Sequence, residues 1–260
     1  MKRDSLPSKV INWSYGMIVT MTDFGVQGPY LAQMKAVLAH LAPGVSVLDL
    51  FTDAPAFNPR SSAYLLAAYA PDFPAGSVFL CVVDPGVGTE RGALAVRAQG
   101  RWFVGPDNGL LLPTAKRDPA AQAWRIAWRP ERLSATFHGR DLFAPVAARL
   151  ACGDSPPGPE VEIPALVGAD WPEDLAEVVY VDVYGNAMTG LRAATLPKHG
   201  ELHVDGQRLR YARTFADAPR GGAFWYENAN GLVEIAVNQG RADRALSLAP
   251  GTPVRPVASA

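Results

Sequence analysis

The sequence predicts an α/β N-terminal domain, with a parallel sheet flanked by helices, followed by a smaller antiparallel β-barrel C-terminal domain. Three observations support this fold class. In the first half of the 260-residue chain, apolar strand-like runs alternate with segments of helical periodicity, which is typical of a parallel sheet covered on both faces. Residues 153–172 are rich in proline and glycine and show no sustained periodicity. Beyond them, short strand-like runs are separated by turn sequences.

These observations divide the chain into four parts. Residues 1–15 are interpreted as a disordered tail and residues 16–153 as the N-terminal α/β domain. Residues 154–173 are interpreted as an inter-domain linker and residues 174–257 as the C-terminal β-barrel domain. The whole chain is long enough to bury a sizeable core without disulfides or metals.

The N-terminal domain begins with the order strand, helix, strand, helix, strand. Pro29 stands where the first residue of a helix is expected, and apolar residues then recur at helical spacing until Pro43-Gly44. We predict strands at residues 17–21, 45–51, 77–83, 93–98, 101–104 and 123–128, and helices at residues 29–41, 59–70 and 142–150.

The C-terminal domain has shorter elements. The pair Asp205-Gly206 between two strand-like runs is a strong signal for a two-residue hairpin. The predicted strands are residues 178–183, 201–204, 207–214 and 232–237.

The composition restricts the classes of partner. With 24 Lys and Arg residues against 25 Asp and Glu residues, the formal net charge is −1, and the cationic residues are scattered. We therefore expect a small-molecule partner and no nucleic acid. The N-terminus lacks an apolar core of secretory length, and no apolar run approaches the roughly 18 residues that span a bilayer, so no membrane association is expected.

The two cysteines, Cys81 and Cys152, have neither metal-binding nor redox spacing. Cys81 lies inside an apolar strand-like run and Cys152 at the predicted end of a helix. Two buried free thiols are expected, which fits a reducing cytoplasm as the location of the protein.

Five polar turns follow predicted strands or begin a helix. Ligands of open α/β sheets bind at the carboxyl ends of the strands, so acids, amides and bases placed there are candidates for chemistry. Any one of these turns is explained by ordinary turn chemistry, whereas five that carry Asp, Asn, Arg and His together indicate a site. They are residues 22–25, 84–91, 105–109, 137–141 and 182–186.

The turn at residues 84–91 organises this set. An apolar strand ends at Asp84 because Asp-Pro-Gly forces the chain to turn, and Arg91 belongs to the same glycine-rich loop. A guanidinium keeps a carboxylate ionised, and the imidazole of His138 gives or takes a proton near neutral pH. This trio suits the orientation and deprotonation of a water nucleophile. The structural alternatives are an ordinary turn, a surface arginine and a histidine bonded to backbone at a helix start.

Other candidates also have structural alternatives. Asp23 fits an Asx-turn or a helix cap. Phe57, Phe137 and Tyr184 are by default core aromatics, but at a cleft between the two domains they would clamp a flat ring by stacking.

Several common chemistries lack their signatures. The chain has no Gly-x-Gly-x-x-Gly fingerprint, no phosphate-binding Gly-x-x-x-x-Gly-Lys loop and no Ser or Cys in a nucleophile elbow. The spacing of acids and histidines is too sparse for a dedicated metal cage. A metal-dependent hydrolase that uses Asp23, Asp107, His138 and Asp141 remains an alternative.

Six motifs occur along the chain in a fixed order. They are TDFG (22–25), VVDPGVGTER (82–91), PDNGLL (106–111), TFHGRD (136–141), YGN (184–186) and GLVEIAVN (231–238). In this order they resemble the motifs of S-adenosyl-L-methionine hydrolases, also called SAM hydroxide adenosyltransferases, which are relatives of fluorinase and chlorinase. The resemblance extends from about Met17 to Val254.

The resemblance implies an N-terminal α/β domain and a C-terminal β-barrel. It implies a homotrimer whose substrate cleft lies between the N-terminal domain of one subunit and the C-terminal domain of its neighbour. The implied reaction is cleavage of S-adenosyl-L-methionine by water, attacking the ribose C5′ in line, to give adenosine and L-methionine. No metal or organic cofactor is implied.

The resemblance also assigns roles by position. Asp84, Arg91 and His138 correspond to the catalytic trio that positions and activates the water, and Asp23 to the carboxylate that binds both ribose hydroxyls. The remaining implied substrate-binding residues are Phe57 and Phe137 near the ribose and the reacting carbon, Tyr184 and Asn186 at the adenine, Asp182, Ala229 and Asn230 at the methionine, and Asn108, Gly139 and Gln239.

The same motifs separate hydrolases from halogenases. Halogenating relatives carry aromatic hydroxyls where this chain has Asp84 and His138, and glycine or a small hydroxyl residue where it has Gly139. An ionised Asp84 would repel a halide but would suit a water nucleophile, so we predict hydrolysis.

Four positions depart from the family pattern: Gly28, Thr52, Gly190 and Ala229. Ala229 replaces a serine that contacts the methionine end, and one lost hydrogen bond to a charged group weakens binding by about 1.5–3 kcal/mol. A non-catalytic protein that binds or senses S-adenosyl-L-methionine or adenosine is therefore the main alternative.

Overall fold

The described part of the chain forms two seven-stranded sheets, one in each half of the sequence. The computed structural model describes residues 16–197 and 200–257. The disordered tail expected at residues 1–15 lies outside the described residues.

The first sheet combines parallel and antiparallel pairs. Its four strands β2, β1, β3 and β5 run parallel in that order, and β4, β6 and β7 follow in antiparallel pairs. The expected parallel sheet is therefore confirmed for four of the seven strands. The strand bounds are β1 (Ile18–Thr22), β2 (Val47–Phe51), β3 (Val78–Val82), β4 (Ala93–Ala98), β5 (Arg101–Pro106), β6 (Gln122–Arg125) and β7 (Glu160–Val161).

Helices cover both faces of this sheet. One face packs against α1 (Tyr30–Leu41) and α4 (Ala144–Ala151), and the other against α2 (Pro59–Tyr69) and α3 (Leu112–Lys116). Neighbouring residues of β1 point to opposite faces of the sheet. Ile18 packs in the core on the side of α1 and α4, and Val19 packs in the core on the side of α2 and α3. A strand buried on both sides has to be apolar throughout, which explains the continuous apolar runs in the sequence.

Two helix starts affect the candidate site. The side chain of Asn58 accepts a hydrogen bond from the Ser61 N–H (2.9 Å), so α2 begins at Pro59 as predicted. The predicted helix at 142–150 instead begins with a π-helical turn, Gly139–Phe143, before α4. Wide turns of this kind are frequent at functional sites.

The second sheet nearly closes into a barrel. Its order is β14-β10-β11-β12-β13-β9-β8, and a bridge between Glu177 and Pro253 connects its two ends. Its strand pairs are antiparallel except for β11 with β12, which run parallel. The elements are β8 (Leu175–Val181), β9 (Ala187–Arg192), β10 (Glu201–Val204), β11 (Gln207–Tyr211), β12 (Ala223–Glu227), β13 (Leu232–Val237), α5 (Ala242–Ala245) and β14 (Val254–Val257).

The predicted hairpin is confirmed. Val204 pairs with Gln207, so Asp205 and Gly206 alone form the turn between β10 and β11. Both turn residues have positive φ, 46° and 73°, as a type I′ turn requires.

The segment interpreted as a linker makes defined contacts with the first half of the chain. β7 pairs with β6 at the edge of the first sheet. The Tyr64 hydroxyl in α2 donates to the Pro172 carbonyl oxygen (2.5 Å). These contacts connect the segment 154–173 to the first sheet before the second sheet begins.

The cysteines differ in exposure. Cys81 is buried in β3, and burial raises the pKa of its thiol. Cys152 is exposed, so the expectation of a second buried thiol was wrong; it is the residue that terminates α4 and faces solvent. Across the described ranges, no helix has the length and apolar character needed to cross a membrane.

Candidate active site

A cavity of about 290 Å³ lies at the carboxyl ends of β1 and β3. These strands are parallel neighbours in which Thr22 pairs with Val82, so the residues after them, Asp23 and Asp84, meet at one edge of the sheet. The π-helical turn contributes a third wall. The lining residues are Asp23, Phe24, Tyr30, Ala56, Phe57, Val82, Asp84, Val87, Thr136, Phe137, His138 and Gly139.

The structure brings the predicted trio together. Arg91 Nε donates to Asp84 Oδ1 (2.8 Å), and Arg91 Nη2 donates to Asp84 Oδ2. The same Nη2 lies 3.1 Å from His138 Nδ1. The side chains of Asp84 and Arg91 are 5% and 11% exposed, so this ion pair is shielded from solvent screening. Burial lowers the pKa of His138, and the adjacent charge of Arg91 lowers it further.

The loop at 84–91 depends on a tight glycine turn. The Val87 N–H donates to the Asp84 carbonyl oxygen (3.2 Å), and the Thr89 hydroxyl donates to the Gly86 carbonyl oxygen (2.7 Å). Gly88 has φ +82°, and a Cβ there would lie 2.6 Å from the Ala135 carbonyl oxygen. Only glycine fits that position without moving the loop against the segment that carries His138.

Asp23 is connected to Phe57. Its Oδ2 accepts a hydrogen bond from the Phe57 N–H (3.1 Å). Burial raises the pKa of Asp23, and the nearby charge of Asp84 acts in the same direction. Phe57 has φ +58° and its side chain is 79% exposed, so the default interpretation as a core aromatic was wrong for this residue.

Aromatic rings form the apolar wall of the cavity. The ring centre of Phe137 lies 5.8 Å from that of Phe24 and 5.3 Å from that of Tyr30. The guanidinium carbon of Arg140 lies 5.1 Å from the Phe137 ring centre. A Cβ on Gly139 would lie 3.3–3.4 Å from Phe24, Phe137 and Val82, so glycine at this position avoids a close contact with these three side chains.

Asn108 lies outside the cavity lining. Its Nδ2 donates to the Val83 carbonyl oxygen (2.9 Å), and its Oδ1 accepts from the Leu110 N–H (3.3 Å). In this structure Asn108 therefore supports the strand end from which Asp84 projects.

A second cavity, of about 700 Å³, lies in the C-terminal half of the chain. Asp182 shapes its rim, since Oδ1 accepts from the N–H groups of Tyr184 (2.9 Å) and Asn186 (2.8 Å), and Oδ2 accepts from Asn186 Nδ2 (3.1 Å). Tyr184 is 73% exposed and is not a core aromatic. The lining residues are Asp182, Tyr184, Asn186, Phe215, Tyr226, Glu234, Val237, Gln239, Gly240 and Arg241.

Sequence reasoning missed Glu234 and Tyr226. Glu234 is 3% exposed and accepts hydrogen bonds from the Tyr226 hydroxyl (2.5 Å) and from Asn228 Nδ2 (2.9 Å). Burial raises the pKa of Glu234. The sequence did contain a signal for Glu234, since it is an acid inside the apolar run Leu232–Val237. A buried acid requires hydrogen-bonding partners, which marks it as a candidate for a polar site.

Two predicted methionine-binding residues lie outside both cavities. Asn230 Nδ2 donates to Asp72 Oδ2 (2.6 Å), which connects the turn before β13 to the short 3₁₀ turn Ala70–Asp72 that follows α2. Ala229 is exposed in the same turn.

The acids of the metal alternative are bound elsewhere. Asp107 pairs with Arg125 (3.3 Å) and accepts from the Val167 N–H (3.2 Å). Asp141 pairs with Arg140 (2.6 Å), and that hydrogen bond is the main cause that lowers the pKa of Asp141. In residues 16–197 and 200–257, no three His, Cys, Asp or Glu side chains are grouped as a metal site requires.

Comparison with known proteins supports the family resemblance that was inferred from the sequence motifs. Residues 18–158 match the SAM hydroxide adenosyltransferase N-terminal domain, and residues 176–255 match the C-terminal domain of the same family. An (R)-S-adenosyl-L-methionine hydrolase of Thermus thermophilus is 44% identical over 253 residues, which cover 90% of this chain and 97% of that protein. A fluorinase of Nocardia brasiliensis is 26% identical over 273 residues, covering 85% and 90%.

The fold is shared with a solved structure. A crystal structure of an uncharacterized conserved protein from Thermotoga maritima matches this chain with a TM-score of 0.84 and 30% sequence identity. The match covers 93% of this chain and 100% of that chain, so it includes both sheets.

Proposed function

The chain belongs to the SAM hydroxide adenosyltransferase family, and from this premise we propose that it hydrolyses S-adenosyl-L-methionine to adenosine and L-methionine. The observation that carries the proposal is the hydrogen-bonded trio of Asp84, Arg91 and His138, of which Asp84 and His138 line one cavity together with Asp23. A charged acid at position 84 favours water over halide as the nucleophile, because it repels anions. The name of the Thermus relative makes the (R) diastereomer the proposed substrate.

In the proposed mechanism, Asp23 binds the two ribose hydroxyls and so directs C5′ towards the trio. A water held by the trio within about 3–3.5 Å of C5′ attacks in line with the C5′–S bond. The oxygen–carbon bond forms as the carbon–sulfur bond breaks, and the electron pair of that bond neutralises the sulfonium. The oxygen then loses its proton, which leaves adenosine and methionine.

The apolar wall assists the departure of sulfur. Phe24, Tyr30 and Phe137 exclude water from one side of the cavity. Because the sulfonium charge disappears as the bond breaks, an apolar environment favours the transition state over the charged ground state.

The complete site is proposed to form between two copies of the chain in a homotrimer. Asp84, His138 and the ribose acid Asp23 line the first cavity, whereas Asp182, Tyr184, Asn186 and Gln239 line the second. Large apolar side chains are exposed near both, such as Phe57 at the first and Tyr184 at the second. A head-to-tail contact that places the first cavity of one copy against the second cavity of the next would close into a ring.

No cofactor enters the proposed reaction, since water is the nucleophile and the sulfonium is already a good leaving group. The cytoplasm is the proposed compartment, because Cys81 and Cys152 are free thiols.

A chromatographic assay for adenosine and methionine tests the proposal. The purified protein, incubated with each sulfonium diastereomer, is expected to release the two products in equal amounts from the (R) form. Asp84→Ala should reduce the turnover at least about 100-fold while adenosine still binds. The matched control is Asp154→Ala, since Asp154 has a 57% exposed side chain and is not among the residues that line the first cavity. Wild-type protein that binds adenosine but releases no product would favour the non-catalytic alternative.

A further inference from the structure

Arg91 restricts the imidazole of His138 to one hydrogen-bonding state. Its Nη2 lies 3.1 Å from His138 Nδ1. A guanidinium carries donors only and stays protonated in proteins, so Nδ1 has to accept with its lone pair. In a neutral imidazole the single ring proton then resides on Nε2.

Arg91 is itself held on several sides. Beyond its two hydrogen bonds to Asp84, its Nη1 donates to the Gly92 carbonyl oxygen (3.0 Å). That oxygen also accepts from the Asp107 N–H (3.0 Å). The guanidinium carbon lies 5.1 Å from the ring centre of Phe143, the last residue of the π-helical turn. Rotation of Arg91 away from His138 would break charge-assisted bonds, so its donor stays directed at Nδ1.

The doubly protonated ring is disfavoured at this place. An imidazolium would direct an N–H of its own at the Arg91 N–H. Burial and Arg91 both lower the pKa of His138, as does Arg129, while Asp84 and Asp141 act in the opposite direction. The neutral ring is therefore the form expected near neutral pH.

The other ring nitrogen is available to a ligand. His138 lines the first cavity, and within the described ranges no residue hydrogen-bonds its Nε2. Asp84 lines the same cavity and, when ionised, offers only acceptors. The cavity thus presents one donor and one acceptor to a small molecule between them.

We propose that Arg91 locks His138 as the Nε2–H tautomer, so that His138 donates a hydrogen bond to the attacking water and Asp84 accepts the proton from it. This inference rests on the proposed hydrolase function and reverses the role expected of a histidine base. Water both donates and accepts, so it satisfies the pair, whereas a halide can only accept and leaves Asp84 facing an anion.

The proton balance is complete without a histidine base. As the water oxygen bonds to C5′ and the C5′–S electron pair moves to sulfur, the attacking oxygen becomes a protonated alcohol. Such an oxygen is strongly acidic, so a carboxylate is a sufficient acceptor late in the step. Asp84 takes the proton and releases it to solvent, and His138 is unchanged.

Nitrogen-15 magnetic resonance of the imidazole rings tests the tautomer directly and needs no substrate. In protein labelled on histidine, the proton-bearing and bare ring nitrogens differ strongly in shift, and their couplings to the ring C–H protons identify each one. His138→Gln assigns the signal by its disappearance, with His40 and His203 as internal references. The Nε2–H pattern is expected at neutral pH; the Nδ1–H pattern or an imidazolium would overturn the proposal.

Two substitutions at one position test the donor role. The amide N–H of His138→Gln replaces the Nε2–H donor but cannot act as a base, while His138→Leu has neither function. Melting temperatures are measured for both to verify folding. We expect His138→Gln to retain turnover within about 10-fold of wild type and His138→Leu to lose roughly 100-fold or more. Equal loss in both would overturn the donor role. Because the resonance experiment is independent of turnover, it separates this proposal from the failure of the hydrolase assignment.

Discussion

At the scale of single residues, Phe57 shows how the site holds an unfavourable conformation. A positive φ in a bulky residue costs on the order of 1–3 kcal/mol, and such residues concentrate at functional sites. The Phe57 N–H is fixed by Asp23 Oδ2, so the carboxylate that is proposed to bind ribose also orients an exposed aromatic ring over the cavity. A change at either residue therefore affects both.

Asp23→Asn should separate binding from folding. The amide keeps an acceptor for the Phe57 N–H but loses the charge that accepts two ribose hydroxyls. Since hydrogen bonds to charged groups contribute about 1.5–3 kcal/mol, KM should rise about 10-fold to 100-fold. Asp49→Asn, on the neighbouring strand β2, is the control that should leave KM unchanged. An unchanged KM in Asp23→Asn would contradict the ribose role.

The raised pKa of Asp23 also predicts a pH dependence. The native state takes up this proton at higher pH than the unfolded chain, whose ordinary value is 3.8. This carboxyl therefore adds to the stability of the native state as pH falls through its raised pKa, while substrate affinity falls over the same range. As the pH is lowered from neutral, the free energy of unfolding from chemical denaturation and the KM should therefore both rise, and the part of each change that is due to this carboxyl should be absent in Asp23→Asn.

At the scale of elements, the loop at 84–91 and the π-helical turn act as one unit. Gly88 packs against the Ala135 carbonyl oxygen, two residues before Phe137, and Arg91 stacks on Phe143. The trio thus depends on the packing of two distant segments that the sheet edge brings together.

Two glycines of this loop provide a matched pair of substitutions. A Cβ at Gly88 would lie 2.6 Å from a backbone oxygen and in a positive-φ conformation, whereas at Gly86 its nearest contacts are 3.6 Å. Gly88→Ala should lower kcat at least 10-fold and destabilise the fold by about 1–3 kcal/mol. Gly86→Ala should keep both near wild type. Similar effects in both variants would contradict the close-packing argument.

The first domain was largely predictable because its strands are buried on both faces and appear as continuous apolar runs. β4 was predicted with its observed bounds, as were β10 and β13 in the second sheet. β9, β12 and β14 were missed. β9 contains Gly190 and β14 contains Pro256, so their local composition opposed a strand, whereas the aromatic residues of β12 favour one and were overlooked. Pairing with neighbouring strands overrides that local preference.

The reactive trio was predictable because its members lie beside turn signals. Glu234 and Tyr226 were not, since their significance arises from a contact across the β12–β13 pair. Cys152 was misjudged because burial at a helix end depends on which side faces the sheet, and that side is set by tertiary packing.

At the scale of the whole molecule, most of the predicted site residues lie in two separate cavities. A single chain holds Asp84 and His138 of the trio in one and the proposed adenine set in the other. Sequence motifs give no distance between the two sets, and in the proposed homotrimer contact between copies would bring them together into one site.

Subunit mixing tests this assembly. Asp84→Ala removes the trio and Asn186→Ala removes a proposed adenine contact, so each protein alone should be nearly inactive. Co-expressed in equal amounts, they should recover about a quarter of wild-type turnover. Each site needs an intact Asp84 from one subunit and an intact Asn186 from its neighbour, and each of these is present with a probability of about one half. No recovery in mixed oligomers would indicate that each site is built from one chain.

The bridge between Glu177 and Pro253 has a consequence for how copies meet. A sheet that nearly closes on itself leaves few unpaired amides along its borders. Unpaired amides at an open border are what allows strands of separate molecules to pair non-specifically. In the proposed homotrimer, recognition through this half of the chain would then depend on loops and side chains. Point substitutions at those contacts should retune assembly without opening a route to fibrous aggregates.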